Sequence, residues 1–223
     1  MQPRSQQHGR PGRPARLSRD AILSRADRIL KEEGPERLSM RRLAKEMTIT
    51  PMALYYHVKD KDELLMLLLN AYSERMAWPE LPRQPRERLV MGAWMLRDLL
   101  AECPWAVQAL SADLLESASA LRIVENMIDA AVACGLSHDE ALFAYRVIWY
   151  YIVGELLIRL NRERARLQDG QRPSWEGALL ALDPILFPLL ARLRDQWATP
   201  GVEDDQRRRL EVVVDGLLAR GPD

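Results

Sequence analysis

The chain has few cysteines, histidines and phenylalanines, and these scarcities restrict what it can be. Only 2 of its 223 residues are cysteines, and neither Cys103 nor Cys134 lies in a paired-cysteine motif. We expect both to be free thiols, buried or half-buried, as suits a reducing cytoplasm. The polar N-terminus has no apolar segment of the kind that forms a signal peptide, so we expect no secretion signal.

The sequence also lacks the short motifs of catalytic and metal sites. It contains no HExxH, CxxC, GxSxG or phosphate-loop glycine pattern. His138 is followed by Asp139 and Glu140, but adjacent side chains on a helix point in different directions. Acids in a first turn are explained by the helix dipole. We therefore expect no catalytic residue, no metal and no cofactor, and a protein that is not an enzyme.

No convincing strand pattern is present, whereas apolar residues recur at helical spacing from Leu17 onward. The sequence therefore predicts an all-α fold. The most apolar run, from Val147 to Gly154, is too short to cross a bilayer and favours a buried core helix. We expect no membrane partner.

The formal net charge of zero conceals an asymmetry along the chain. Residues 1–61 carry 14 Lys and Arg against 7 Asp and Glu, and residues 62–223 carry 18 against 25. A basic segment attracts phosphates and binds them in a salt-dependent way. Residues 1–16, rich in Pro, Gly, Gln and Arg, predict a disordered basic arm. Its Gly-Arg-Pro repeats resemble the core of arms that lie in the DNA minor groove, although a solvated tail is the more ordinary interpretation.

Residues 39–61 predict two short helices joined by a tight turn. Ser39 is a suitable N-cap for the first, and Thr50 caps the second, which places Pro51 at its first position. The second helix, from Pro51 to about His57, would expose tyrosines beside basic residues. This pattern is typical of a helix-turn-helix that binds DNA, although a helical hairpin with a solvated basic face has the same spacing.

The block from Leu17 to Leu65 resembles the N-terminal domain of the tetracycline repressor (TetR) family of bacterial transcription regulators. The resemblance rests on LSMRRLAKEM, a three-residue turn and PMALYYHVKDKDELL. Many members have Gly where this chain has Thr48, and a β-branched residue is poorly suited to a positive φ. The resemblance implies a set of DNA contacts to base edges and phosphates: Arg41, Pro51, Met52, Ala53, Tyr55, Tyr56, His57 and Lys61.

We divide the chain into the arm 1–16, a helix-turn-helix DNA-binding domain 17–62 and an effector-binding and dimerisation domain 63–223. Apart from the helix-turn-helix, helices are predicted at about 18–33, 61–78, 85–102, 105–115, 118–134, 138–167, 185–197 and 204–219. Ser137 and Glu140 form a capping box at the start of the longest helix. Residues 169–184, rich in Gly and Pro, predict an irregular connection.

Residues 134–160 and 188–218 resemble the long helix and the last two helices of the tetracycline repressor's own subfamily. There the long and final helices of two subunits pack as a four-helix bundle. The resemblance implies a homodimer whose interface includes Gly154, Leu210, Val213, Val214, Gly216 and Leu217. An apolar C-terminal core helix of a monomer would have the same sequence pattern.

The larger domain is rich in bulky, adaptable side chains. Met and Trp at this spacing are more often core than pocket, but helical domains commonly hold a ligand between their helices, and the family that the chain resembles holds an effector there. Our candidates are Met91, Trp94, Met95, Trp105, Met127, Arg146, Trp149 and Tyr150. Arg146 is the charged candidate, and an acid on a neighbouring helix is the ordinary alternative for it.

The alignment with the tetracycline repressor places Ile158 where a glutamate of that protein helps to bind its magnesium–drug complex. An apolar side chain cannot ligate a hard cation. We therefore expect a largely apolar, ring-containing effector that binds without a divalent metal.

Together these features predict a cytoplasmic, ligand-responsive transcription regulator. It would bind a palindromic double-stranded DNA operator as a homodimer and be released by a small hydrophobic molecule. The resemblance favours repression over activation. A constitutive architectural DNA-binding protein without an effector is one alternative, and a solid core would favour it. A helical enzyme or binding module with a merely solvated basic face is the other, and lack of sequence-selective DNA binding would favour it.

Overall fold

The computed structural model describes residues 17–76, 78–111, 118–169, 177–178, 181–197 and 203–219. Within these ranges the regular elements are α-helices and no strand occurs, in agreement with the predicted all-α class. The predicted basic arm 1–16, and most of the predicted irregular connection 169–184, lie outside the described residues.

The helices begin and end close to the predicted positions. They are α1 (Arg19–Glu33), α2 (Met40–Glu46), α3 (Pro51–Tyr55), α4 (Lys61–Arg75), α5 (Pro85–Glu102), α6 (Pro104–Ser111), α7 (Ala118–Ala133), α8 (His138–Asp169), α9 (Pro188–Trp197) and α10 (Glu203–Leu218). Helix α9 begins three residues later than predicted, at a proline, because proline is favoured at the first helical position. The chain forms two compact units, Met1–Leu64 and Leu65–Asp223, and the division falls inside α4.

The helix-turn-helix unit is built on side-chain caps, as the sequence predicts. The hydroxyl of Ser18 accepts a hydrogen bond from the N–H of Ala21 at 3.2 Å, and the hydroxyl of Ser39 accepts one from Arg42 at 3.2 Å. Each bond satisfies one of the N–H groups that a helix start leaves unpaired. The core beneath these helices consists of fully buried aliphatic side chains, including Ile22, Ala26, Leu43, Ala44, Leu54, Val58 and Leu64.

The turn between α2 and α3 uses a strained threonine. Thr48 has φ 56° and is the sole non-glycine residue with positive φ in the described part of the chain. Its N–H donates to the carbonyl of Lys45 at 3.1 Å, and the N–H of Ile49 donates to that of Ala44 at 3.0 Å. These bonds form the Schellman arrangement that ends a helix, in which glycine is the usual left-handed residue. The chain therefore forms the family's turn with a residue ill-suited to it.

We expect Thr48→Gly to raise the free energy of unfolding by roughly 0.5–1 kcal/mol. A left-handed conformation costs a non-glycine residue about 1–2 kcal/mol, and the greater freedom of unfolded glycine cancels about 0.5–1 kcal/mol of that gain. Urea unfolding, followed by circular dichroism, measures the change. Thr50→Gly is the control, because it removes a cap from ordinary extended backbone and should cost a few tenths of a kcal/mol. A lower unfolding midpoint for Thr48→Gly would contradict the assignment of strain.

The second unit depends on a close crossing of α5 and α7. A Cβ placed on Gly92 would lie 2.6 Å from Cγ of Met127, which is fully buried. Real Cβ atoms essentially never approach so closely, so α5 and α7 can pack at this distance only because position 92 has no side chain. The sequence analysis did not identify this glycine.

The predicted capping box at the start of α8 is confirmed. The N–H of Ser137 donates to the carboxylate of Glu140 at 2.7 Å, and the N–H of Glu140 donates to the Ser137 hydroxyl at 3.3 Å. Hydrogen bonds from Ser137 lower the pKa of the Glu140 carboxyl. Gly135, with φ 102°, ends the preceding helix. Interactions among residues that are close together in the sequence therefore form the corner between α7 and α8.

Helix α8 has one buried face and one exposed apolar face. Its stretch His138–Glu163 is long and apolar enough to cross a membrane by length and composition, with mean hydropathy 1.5, and is 33% buried in this chain. This stretch is longer than the run considered from sequence. Ile148 and Ile152 are fully buried, as predicted for a core helix, whereas Tyr150 and Ile158 are exposed.

Candidate functional site

Helix α3 presents an exposed apolar and aromatic surface on a firmly anchored turn. Leu54 is 0% exposed and fixes the helix to the unit's core, whereas Met52 is 78% and Tyr56 89% exposed, and Tyr55 is exposed as well. The Thr50 hydroxyl caps the helix by accepting from the N–H of Ala53 at 3.2 Å. Helix α3 ends two residues earlier than predicted. We call Met52, Tyr55 and Tyr56 the recognition surface.

The other residues of the predicted DNA-binding set differ in their exposure. Pro51 and Arg41 are exposed, and Ala53 is half-buried. His57 is half-buried, with its ring edge-on to Tyr56 at a centroid distance of 5.5 Å. The exposed Tyr56 ring therefore has an aromatic contact within the protein, with His57.

Lys61 is less free than the sequence suggests. Its ammonium donates a hydrogen bond to the carbonyl of Pro35 at 2.8 Å, and the residue is half-buried. Pro35 lies in the turn after α1, and its carbonyl also accepts a hydrogen bond from the N–H of Leu38 at 3.3 Å. The Lys61 side chain therefore contacts its own unit. An ammonium has three N–H groups, so two others can still reach a phosphate.

A shallow groove on α2 is lined by Ser39, Arg41, Arg42, Lys45 and Glu46. Arg42 is occupied within the protein: its guanidinium bonds Glu33 of α1 and, at 3.0 Å, Glu46 of its own helix. These hydrogen bonds raise the pKa of Arg42, and the bond from Arg42 lowers that of the Glu33 carboxyl. Arg42 therefore fastens α1 to α2 instead of facing a ligand.

The groove still presents positive charge through Arg41 and Lys45, which are both exposed and stand four residues apart on α2. Arg41 belongs to the predicted DNA-binding set, but Lys45 does not. The spacing from Arg41 was the sequence feature that could have identified Lys45.

The predicted effector residues fall into three groups by burial. Met95, Trp105 and Met127 are buried, and Met91, Trp94 and Trp149 are half-buried. Arg146 and Tyr150 are exposed. The prediction that Arg146 is the desolvated charge of a pocket is therefore wrong for this chain, since α8 turns that residue and Tyr150 to its outer face.

Arg97 is the buried cation that the sequence analysis missed. It is 5% exposed; its Nε lies 3.3 Å from a Glu155 oxygen, and its guanidinium lies 5.1 Å from the ring centroid of Trp94. It also donates to the side-chain oxygen of Gln206, whose amide reaches Glu155 at 3.4 Å. This network joins α5, α8 and α10, and a buried charge is tolerated only with such partners.

The predicted dimer residues also differ in their burial. Leu210 and Val214 are fully buried in the chain's own core, so they are core positions and not interface positions. Val213 and Leu217 are half-buried, and Gly216 is exposed. Other apolar side chains on α8 and α10 are exposed instead: Leu142, Phe143, Tyr150, Ile158 and Val212. Within the described part of the chain, a Cβ added to Gly154 or Gly216 would have no heavy atom within 4 Å apart from those of the adjoining residues and helix backbone.

The predicted thiol state is confirmed. Cys103 and Cys134 are free, the first buried and the second half-buried. The Cys103 thiol donates to the carbonyl of Leu99 at 2.7 Å, and burial raises the pKa of the Cys134 thiol. A raised pKa is the opposite of what activates a reactive thiolate.

Two family models match the chain. Residues 22–67 match the family described as bacterial regulatory proteins, tetR family, and residues 78–220 match the tetracyclin repressor-like C-terminal domain. These matches cover the helix-turn-helix and nearly all of the second unit.

Individual relatives agree with the family models. The chain is 28% identical to the HTH-type transcriptional repressor DrrR1 of Streptomyces coeruleorubidus over 216 residues, 90% of this chain and 77% of that protein. It is 27% identical to the class A tetracycline repressor protein from transposon 1721 of Escherichia coli, over 92% of each chain. Among solved structures, the Streptomyces coelicolor TetR family protein ActR in complex with actinorhodin superposes with a TM-score of 0.73 at 26% identity, covering 94% of this chain and 99% of ActR.

Proposed function

Since this chain belongs to the tetR family of bacterial transcription regulators, we propose that it is a cytoplasmic repressor that binds a palindromic operator as a homodimer and is released by a small hydrophobic molecule. The observation that carries the proposal is the recognition surface. Met52 on α3 and Tyr56 at the end of this helix are largely exposed, and buried Leu54 holds the helix in place. Large apolar side chains on a rigid, exposed turn are suited to contact base edges in a major groove.

The charges of the same unit support DNA as the partner. Arg41 and Lys45 are exposed on α2, directly before the turn that leads to α3. Cations beside a recognition helix bind phosphates and set its register on the duplex. Arg42 does not compete for this role, because Glu33 and Glu46 occupy it.

A second copy of the chain is the occupant we propose for the exposed faces of α8 and α10. Tyr150, Ile158 and Val212 are large, apolar and exposed, and Gly154 and Gly216 leave room for a close helix approach. Isologous pairing of this face would bury it and produce a two-fold dimer. Two recognition helices about one DNA turn apart are what a palindromic operator requires.

Release from the operator follows from linkage. An effector that binds the DNA-incompetent conformation more tightly than the competent one shifts the dimer off the DNA. The half-buried Met91, Trp94 and Trp149 provide an adaptable, aromatic wall for such a molecule. ActR, which this chain resembles, was solved in complex with actinorhodin, and this supports a small-molecule effector for the present chain. Ile158 is apolar and exposed and cannot ligate a metal, so release requires no divalent cation.

The experiment that tests the proposal begins with genomic footprinting, which gives the operator, followed by gel-shift titration. We expect Tyr55→Ala to weaken operator binding about tenfold, the effect of losing one good base contact. Lys45→Ala should weaken binding across sequences and reduce the slope of log affinity against log salt by about one unit. Lys31→Ala, which removes the same charge from an ion pair with Asp27 on α1, is the matched control and should leave the slope unchanged.

Three outcomes would contradict parts of this proposal. Unchanged operator affinity in Tyr55→Ala would remove the recognition surface. Binding without sequence preference would favour an architectural protein. Operator release that requires Mg²⁺ would contradict the metal-free effector.

A further inference from the structure

An indole N–H in the interior of the second unit has no hydrogen-bond partner. Trp105, the second residue of α6, is 3% exposed, and its Nε1 meets no acceptor among the residues that the structure describes. Tryptophan has a single polar side-chain atom, which can only donate. The hydrogen-bonding capacity of this side chain is therefore entirely unmet, whereas buried Trp N–H groups usually find a partner.

The other buried polar atoms without a hydrogen bond are less isolated. They belong to Ser73, Arg88, Glu155 and Arg159. Each of the three charged groups has an ion-pair partner. Within the described part of the chain, the Ser73 hydroxyl has no hydrogen-bond partner either, but it can donate or accept. Among the described residues, Trp105 thus stands out as a buried group without an ion-pair partner that can only donate.

The surroundings of Trp105 do not favour a buried water as the missing acceptor. A buried water needs two to four polar partners. The two residues that follow Trp105 on α6, Ala106 and Val107, are buried and apolar, and the one charged residue buried as a whole among the described residues of this unit is Arg97. Arg97 already has Glu155 and Gln206. An acceptor supplied by a ligand satisfies the N–H without further polar groups.

The position of α6 is consistent with a ligand contact. The helix packs against α5 and α8, the helices that carry the half-buried Trp94 and Trp149 of the proposed effector wall. In the described part of this interior the buried cation is Arg97, and Glu155 neutralises it. A neutral acceptor therefore fits better than a carboxylate, whose burial would need an unpaired positive charge.

We propose that the Trp105 N–H donates a hydrogen bond to a neutral carbonyl oxygen of the effector, and that the effector is accordingly a ring-containing ketone. This rests on the proposed function, since it assigns a contact within the effector site of the regulator. It replaces Arg146 with Trp105 as the polar residue that selects the ligand.

The test compares two small probes with the same ring system, 1-tetralone, which has a ring carbonyl, and tetralin, which lacks it. Six tryptophans give six indole N–H signals in a nitrogen-15 spectrum, and loss of one in Trp105→Phe assigns the signal of interest. We expect tetralone to move the Trp105 proton downfield and tetralin to leave it nearly unchanged. Calorimetry should show tetralone binding about tenfold more tightly than tetralin, the value of one hydrogen bond. This preference should disappear in Trp105→Phe and persist in Trp94→Phe.

Equal affinities for the two probes, or no binding of tetralone at its solubility limit, would overturn the proposal. So would a Trp105 signal that already shows a hydrogen bond to water in the ligand-free protein. If Trp105→Phe does not fold, sequential assignment of the wild-type signal gives the same test.

A parallel gel shift separates this inference from the proposed function. Operator release by other hydrophobic compounds, without a change in the Trp105 signal, overturns the Trp105 contact and leaves the proposed repressor function unaffected. Tetralone contact in a chain that binds no operator supports the contact and overturns the repressor.

Discussion

Gly216→Arg will give a folded monomer that has lost at least about a hundredfold in operator affinity. Gly216 is exposed on α10, and in the described part of its own chain no heavy atom beyond the adjoining residues and helix backbone lies within 4 Å of an added Cβ. Arginine is also a better helix former than glycine, by about 1 kcal/mol. The substitution therefore does not disturb the fold of a single chain. Any loss must arise where a second chain approaches this face.

The size of the effect follows from the geometry of the proposed dimer. An arginine in a tight helix crossing is a charge without a partner, which is costly to bury. Tethering two half-site contacts in one dimer raises the overall affinity for the operator by about 10²–10⁴. Loss of the dimer removes this gain. Sedimentation at micromolar concentration measures the assembly, and a gel shift measures the affinity.

The matched control is Ala133→Arg, which adds the same charge at an exposed position of α7 outside the proposed face. It should remain dimeric and bind the operator normally. A Gly216→Arg protein that still sediments as a dimer, or a wild-type protein that is monomeric under these conditions, would show that α10 does not form the interface.

Gly92→Val should lower the free energy of unfolding by roughly 3 kcal/mol. A Cβ at this position meets Met127 Cγ at 2.6 Å, and Met127 is fully buried, so its side chain has no solvent to move into. The substitution must therefore separate α5 from α7 or force the methionine out of its rotamer. Urea unfolding at equilibrium measures the loss.

A double-mutant cycle provides the control. In a Met127→Ala background the space opposite position 92 is empty, and Gly92→Val should cost about 1 kcal/mol or less. The coupling of about 2 kcal/mol is within the range seen for residues in contact. Additive effects of the two substitutions would show that this contact does not set the distance between α5 and α7.

The local signals in the sequence identified the helices well. Ser39 and Thr50 each cap the helix they were expected to cap, because a cap bond joins residues three apart and needs no tertiary information. The turn at Thr48 was likewise identified as ill-suited to its residue, and its φ of 56° confirms this.

The faces of α10 could not be chosen from sequence. Val212, Val213 and Val214 are consecutive, so apolar periodicity does not distinguish a core face from an exposed one. The structure buries Val214 and exposes Val212, and the packing of α10 on α5 and α8 makes that choice.

The buried arginine was missed for a related reason. Arg97 and Arg146 both lie in apolar helical stretches, and their sequence surroundings look alike. What distinguishes them is a pair of distant partners, Glu155 and Gln206, and the latter is 109 residues away from Arg97. Tertiary structure brings these groups together, and pattern alone does not reveal such pairings.

The left-handed Thr48 also bears on how this protein could adapt to warmer growth. A single base change converts either of the threonine codons ACU and ACC to one for asparagine, a residue that tolerates this conformation far better, whereas glycine requires two changes. The turn carries the strain, and the side chains proposed to contact bases on α3 begin only after it, at Pro51. Thermal stability is thus accessible to mutation in one step, with every residue of the recognition surface unchanged.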